Sequence, residues 1–366
     1  MYYPHFFCVF SLYMCDVEIN DTRAVGEFKG VTFSKYKKTA AKKELIKCLS
    51  AKKIESACYW SAELICAGHY TELWESIIQF SAKNIHIGNP RLPIYIAMRF
   101  DNFKTIVENG YASDELRLRN NANIRNIFGE IIATLCYSSM KHSIEAVKIN
   151  KLEEFNMSHM ACRLKAPSVD FGKQIFRATD PRELYVAVNE LAYHIGDDTR
   201  NTVDACYWIE WVLEYETLCR KRREKCGCER RTFARVQDKY QMDIVWLVWD
   251  VLLNETQRRK NPLTDKIIQA LLTLYCVRYT SGSKKRRRFV LYFGVSLLTE
   301  TYDPNRVIVS NKDLVDKVVK GIDVVYKDVK KNEEAPATEY LSVSGQKTNL
   351  DRTVERLEKL DQLLNA

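Results

Sequence analysis

Glycine and proline are scarce in this chain, at 13 and 8 of 366 residues. Sandwiches and barrels need such residues at every turn, so the shortage argues against an all-β fold. No stretch reaches 18 apolar residues without a charge, which leaves no candidate for a membrane-spanning helix. The common catalytic signatures are missing: there is no glycine-rich phosphate loop, no H-E-x-x-H and no G-x-S-x-G. Histidines are few and scattered, at His5, His69, His86, His142, His159 and His194. The expectation is a protein that is not an enzyme and carries no cofactor.

What is present is an apolar fraction of 46%, much of it at helical three-and-four spacing. It predicts an all-α, mainly helical protein with room for one stray hairpin, at a length suited to two domains. The strongest internal signal is a duplication. Ala57-Cys58-Tyr59-Trp60 returns as Ala205-Cys206-Tyr207-Trp208, Trp74 as Trp246, Asn89-Pro90 as Asn261-Pro262, and Phe128-Gly129 as Phe293-Gly294, all in the same order. Two tandem divergent repeats of one helical unit are the economical reading, at 29–165 and 166–331. The second repeat carries a basic insertion at 216–239. An N-terminal extension, 1–28, precedes them, and a linker, 332–347, leads to a C-terminal amphipathic helix, 348–366. Residues 1–13 could precede the true start if Met14 is the initiator.

Local patterns predict particular helices. Glu55 to Ala67 closes on Gly68 as a C-cap, Glu72 to Ser81 follows, and Phe128 to Tyr137 is apolar on most sides. Both Asn-Pro pairs suggest a helix start, with asparagine as N-cap and proline at the first turn. Asp180-Pro181 suggests another start, Asp197-Asp198 a turn or cap, and Trp60 a core position.

Charge is unevenly distributed. Between Lys29 and Lys53 nine lysines face a single acid, Glu44, and the chain carries a formal +9. The tail from 332 to 366 is acidic on balance, so the positive excess belongs to the body. Three segments are candidate contacts for nucleic acid or acidic partners: Lys37, Lys38, Lys42 and Lys43; Arg220, Arg222, Arg223, Arg230 and Arg231 in the insertion; and the run Lys284, Lys285, Arg286, Arg287 and Arg288 after a flexible Ser-Gly-Ser turn. Tyr36, Phe233, Tyr279 and Phe289 flank these segments and could stack on bases or anchor the loops to the core. The tail helix, striped by Leu350, Val354, Leu357 and Leu360, is expected to dock on the body or on another chain.

Of twelve cysteines, most sit in apolar patterns, among them Cys58, Cys66, Cys136, Cys206 and Cys276. They predict free buried thiols in a reducing intracellular compartment. Cys219, Cys226 and Cys228 cluster as candidate metal ligands, but C-x6-C-x-C without a nearby histidine departs from the zinc pattern, so no metal is expected.

Residues 57–90, through Ala57-Cys58-Tyr59-Trp60-Ser61-Ala62-Glu63-Leu64, Gly68-His69-Tyr70 and Ile85-His86-Ile87-Gly88-Asn89-Pro90, resemble the collar of clamp-loader-like ATPases of the Werner-interacting and MgsA type. The motor of those proteins has no counterpart here, so the resemblance implies a helical oligomerisation fold alone. Over its length, through both Ala-Cys-Tyr-Trp motifs, Lys83 to Pro90 and Arg288 to Glu300, the chain resembles a helical protein family of large nucleocytoplasmic DNA viruses, including those infecting algae and amoebae. That resemblance implies a viral protein in the cytoplasm or nucleus of an infected cell, or in the virion. Two functions follow as expectations. One is a non-enzymatic assembly protein, such as a minor capsid or core component, bound to other viral proteins. The other is an accessory factor in viral replication or transcription that binds DNA or RNA through its basic loops.

Overall fold

The computed structural model describes residues 17–334, apart from 22, 112–113, 151–153, 156–159 and 310. The tail helix 348–366, nearly all of the linker and residues 1–16, Met14 included, lie outside the described residues. Among the described residues the regular structure is helical, with no strand. Where a hairpin was allowed for, an isolated bridge joins Val31 to Lys37.

The first half holds α1 (Lys38–Ser50), α2 (Ile54–Cys66), α3 (Tyr70–Phe80), α4 (Leu92–Ile106), α5 (Glu115–Arg119) and α6 (Ala122–Tyr137). A long irregular connection then leads to α7 (Tyr185–Ile195), α8 (Thr202–Arg222), α9 (Val245–Arg259), α10 (Pro262–Cys276), α11 (Ser283–Arg286) and α12 (Arg288–Thr299). The last described helix is α13 (Lys312–Lys330). α1 pairs with α2, α7 pairs with α8, and α4 lies against α10 to join the halves.

The apolar stripes seen in the sequence become the core. Trp208, Trp246, Trp249, Tyr275 and Tyr292 are fully buried. Burying even a Phe-sized side chain contributes about 1.5–3 kcal/mol, so these rings dominate the second half. Trp60 departs from expectation: it is only half-buried, packing edge-on against Tyr36 and Tyr59. Its counterpart Trp208 is fully buried and packs against Tyr207 and Trp211. Glu154 of the connection accepts from Tyr207 and, through its carbonyl, from Trp211 on the same helix at 3.1 Å.

Duplicated motifs do not all act alike. Asn261 caps α10 by accepting from the amides of Leu263 and Thr264, with Pro262 at the first helical position. Asn89 caps nothing. It is buried, and its amide donates to Ser138 Oγ at 3.2 Å and to the Ile308 carbonyl at 2.9 Å, tying the turn before α4 to distant chain. Both Phe-Gly glycines allow close helix approach, though toward different neighbours. A Cβ on Gly129 would come within 3.2 Å of Ile322 in α13, and one on Gly294 within 3.0 Å of Leu252 in α9.

Two expected boundaries shift. α13, assigned from sequence to the second repeat, packs on α2 and α6 of the first half, burying Val315, Ile322, Tyr326 and Val329. Its stripe is apolar on one side only, and the uncovered face of the α2–α6 pair is where that stripe can be buried. The N-terminal extension also joins the core from residue 17 onward: Ile19 and Phe28 are buried, and the Asn120 side chain bonds both the amide and the carbonyl of Ile19 at 2.9 and 2.8 Å.

The seam between the halves includes one buried histidine. His86, in a short 3-10 turn (His86–Gly88) held in left-handed backbone at φ 47°, stacks on Phe293 of α12 with ring centroids 4.8 Å apart. Burial pushes its pKa down to about 4, against the pull of Glu300 and together with the push of Lys141. An unfolded histidine titrates near 6.5, so from pH 6.5 down to about 4 the unfolded chain takes up a proton that the fold refuses. Stability is therefore whole above about pH 6.5 and falls with acid through that window, by about 2–3 kcal/mol between pH 7 and pH 4.5. Urea midpoints at those two pH values should differ much less in His86→Asn, which cannot titrate. An unchanged pH dependence in the variant would assign the acid sensitivity to other groups.

Candidate functional site

The cationic run that stood out in the sequence folds inward. Lys284 is 1% exposed, and its Nζ lies 2.6 Å from both Asp243 oxygens and 2.6 Å from Glu216. Lys285 reaches Glu214 at 2.5 Å and Thr217 at 2.8 Å, while Arg288 reaches Glu210 at 3.1 Å. Arg287 crosses to the first half and donates to Glu75 from Nε at 3.0 Å and Nη2 at 2.5 Å. Of the five, Arg286 is the one that stays largely in solvent, 3.8 Å from Glu75. The expected turn is present at Ser281-Gly282, but Ser283 to Arg286 form α11, and the role of Lys284 and Arg287 as outward contacts is corrected: a buried cation matched to buried carboxylates has no charge to offer a phosphate.

The main partner of this run is the helix that leads into the insertion. The first residues of the insertion lengthen α8 to Arg222, and Glu210, Glu214 and Glu216 on that helix receive Arg288, Lys285 and Lys284. Burial raises the Glu210 carboxyl above its usual range, although Arg288 and the Tyr292 hydroxyl favour the charged form. The Glu210-x3-Glu214 spacing, one helical turn, is the sequence signal for this acceptor face.

Arg231 is a second inward cation. It is fully buried, donates from Nη1 and Nη2 to Asp180 at 2.9 and 2.6 Å, and from Nε to Asp250 at 2.5 Å. Burial alone would raise the Asp180 carboxyl, but Arg231 and the amides of Arg177 and Glu229 hold it below the usual range. Asp180 is thus the anchor of the insertion rather than a helix cap. The remaining insertion arginines are exposed: Arg220 pairs with Glu216, Arg230 with Asp238 at 2.8 Å, and Arg222 and Arg223 end α8.

In the first segment, Lys38 is half-buried against Glu72 at 2.5 Å. Lys43 and Lys47 are exposed and Lys42 is half-exposed on α1, with Lys37 exposed just before the helix and Lys52 and Lys53 exposed just after it. Among the flanking aromatics Tyr279 is buried and bonds Asp243, Phe289 lies under Lys83, and Tyr36 leans on Trp60. Phe233 is half-buried and faces a cleft.

The three clustered cysteines do not form a ligand set. Cys228 is buried and donates to the Asp243 carbonyl at 3.2 Å, and burial pushes its thiol up to about 12. Burial likewise raises Cys226. Among the described residues no group of three or more His, Cys, Asp or Glu is placed to share a metal ion.

A concavity of about 1140 Å³ lies between the halves. α3 and α4 form one wall and α9 and α10 the other, roofed by residues 174–177 and 232–235. Trp74, Phe100, Phe103 and Phe233 supply aromatic surface, and Asn254, Gln257 and Gln269 supply amides. Arg177, Arg235 and Arg278 come to it from three separate segments. None of these positions was singled out as a cleft in the sequence, because they are brought together only by the pairing of α4 with α10.

No family model, curated protein or solved structure matches this chain. No described helix is long and apolar enough to cross a membrane.

Proposed function

We propose that this chain is a non-enzymatic assembly protein of a large DNA virus, a brace of two related helical units that meets acidic partners through the lysine face of α1. The observation that carries the reading is the internal use of the basic runs. Lys284, Lys285, Arg287, Arg288 and Arg231 fasten α3, α8, α9 and the insertion together, which favours rigidity over nucleic-acid contact by those loops. The order of helices supports two copies of one unit. α2 and α8 carry Ala-Cys-Tyr-Trp, α3 and α9 the next Trp, α4 and α10 follow Asn-Pro, and α6 and α12 carry Phe-Gly. The equivalent helices α4 and α10 pack on each other, as a two-fold arrangement of duplicates would have them. The viral setting rests on the sequence resemblance.

Titration of the full chain against polyglutamate and against a 20-base-pair duplex, over a range of salt, tests this. Charge reversal at Lys37, Lys42 and Lys43 is expected to abolish polyglutamate binding while leaving the fold intact. Duplex binding that is tighter than polyglutamate binding, losing roughly 0.9 log units per log salt for each phosphate contacted, would move the function to nucleic acid.

A further inference from the structure

We infer that the cleft between the halves is a binding site for a phosphorylated heterocycle, a nucleotide either free or at the end of a single strand. The charge balance of the cleft points to an anion. Glu75 is taken up by Arg287, Asp250 by Arg231, and Glu108 by Lys104 at 3.5 Å. Arg177 pairs with Glu229 at 3.6 Å. Among the described residues no carboxylate pairs with Arg235 or Arg278, which leaves two exposed guanidinium groups against one lining acid, Asp101. A guanidinium is a planar fork that matches phosphate oxygens two at a time.

The position of Arg278 is built rather than incidental. It sits in left-handed backbone at φ 42°, which a side chain with a Cβ adopts at some cost, and it donates to Thr71 Oγ1 across the cleft at 2.6 Å. The bond fixes the guanidinium at the edge shared by both halves. Behind it lie the aromatic faces of Phe100, Phe103 and Phe233, with the amides of Asn254, Gln257 and Gln269 on the opposite helices. Rings for stacking and amides for the edge of a base complete the recognition of a nucleotide. Two buried donors on the same wall, Trp74 Nε1 and Tyr70 Oη, have no partner, so the wall still has hydrogen-bonding capacity unused. The volume exceeds what a single nucleotide fills, which is why a strand end is included as a source.

Calorimetric titration of the full chain with ribonucleoside monophosphates and triphosphates, with inorganic phosphate and with an eight-residue oligothymidylate tests the site. Saturable nucleotide binding is expected, weakened roughly tenfold or more by Arg278→Gln and again by Arg235→Gln. Both arginines are exposed, so these variants should keep the wild-type melting temperature. Lys42→Gln with Lys43→Gln on the far face of α1 should leave nucleotide affinity unchanged. Tighter binding of the oligonucleotide than of any mononucleotide assigns the source to a strand, and the reverse to a free nucleotide. The proposal is overturned if none of the nucleotides or the oligonucleotide saturates the protein. Inorganic phosphate binding as tightly as nucleotides, or equal loss from the α1 variants, overturns it as well.

Discussion

Arg231→Met is expected to lower the unfolding free energy by about 3–5 kcal/mol, the range for removing one partner of a buried ion pair. The methionine fills similar volume, so packing is nearly conserved and the electrostatic change is isolated. What remains is Asp180, whose side chain is fully buried, without the two guanidinium bonds that hold it charged. The carbonyls of Glu229 and Ile175, at 2.8 and 3.2 Å, lose their donor as well. Asp180→Asn in the same chain should recover part of the loss, since an uncharged amide tolerates burial. The double mutant should therefore be less destabilised than the sum of the single changes by about 0.5–3 kcal/mol. Urea unfolding of the four proteins gives the cycle, and a loss below about 1 kcal/mol for Arg231→Met would show that Asp180 rehydrates cheaply.

Glu75→Ala carries the second large effect, again about 3–5 kcal/mol. Glu75 is on α3 of the first half, and Arg287, 212 residues later in the chain, precedes α12 of the second. Burial would raise the Glu75 carboxyl, but the bonds and charge of Arg287 hold it below the ordinary range. Without the carboxylate, Arg287, at 3% exposure, keeps only the Tyr275 carbonyl at 2.7 Å among these partners and remains a buried cation. Because the pair spans the halves, the variant should also lose cooperativity between them, seen as a calorimetric transition that splits or broadens. A single sharp transition, merely shifted, would mean that α4 on α10 suffices to couple the halves. Glu75→Gln, which keeps the shape and one acceptor, should fall between wild type and alanine.

The helical elements were largely legible in the sequence. α2 closes at Cys66 beside Gly68, whose φ of 71° suits the left-handed cap that was expected, and α6 ends at Tyr137 as its apolar run implied. Asn261-Pro262 behaved as a cap because a cap needs only neighbours two and three residues away. Asn89-Pro90, the same dipeptide, did not: its Nδ2 donates to Ser138 and to the Ile308 carbonyl 219 residues away, and its Oδ1 accepts from no helix amide. The cleft residues were illegible for the same reason: Arg278, Phe233 and Phe100 have no sequence relation, and their convergence depends on how two helix pairs meet.

Apolar periodicity, caps and the scarcity of turn residues by themselves determined that this protein is helical and where most helices run, since those effects act within a few residues along the chain. The order of the duplicated motifs was likewise a property of the sequence alone. Whether a charge lies at the surface or in the core was decided only by the tertiary structure. Lys285 finds Glu214 at a separation of 71 residues and Arg287 finds Glu75 at 212, and a cation run reads the same in one dimension whether it meets solvent or carboxylates. The physical reason is that desolvation and ion pairing depend on distance in space, which the chain sets only once its helices have packed.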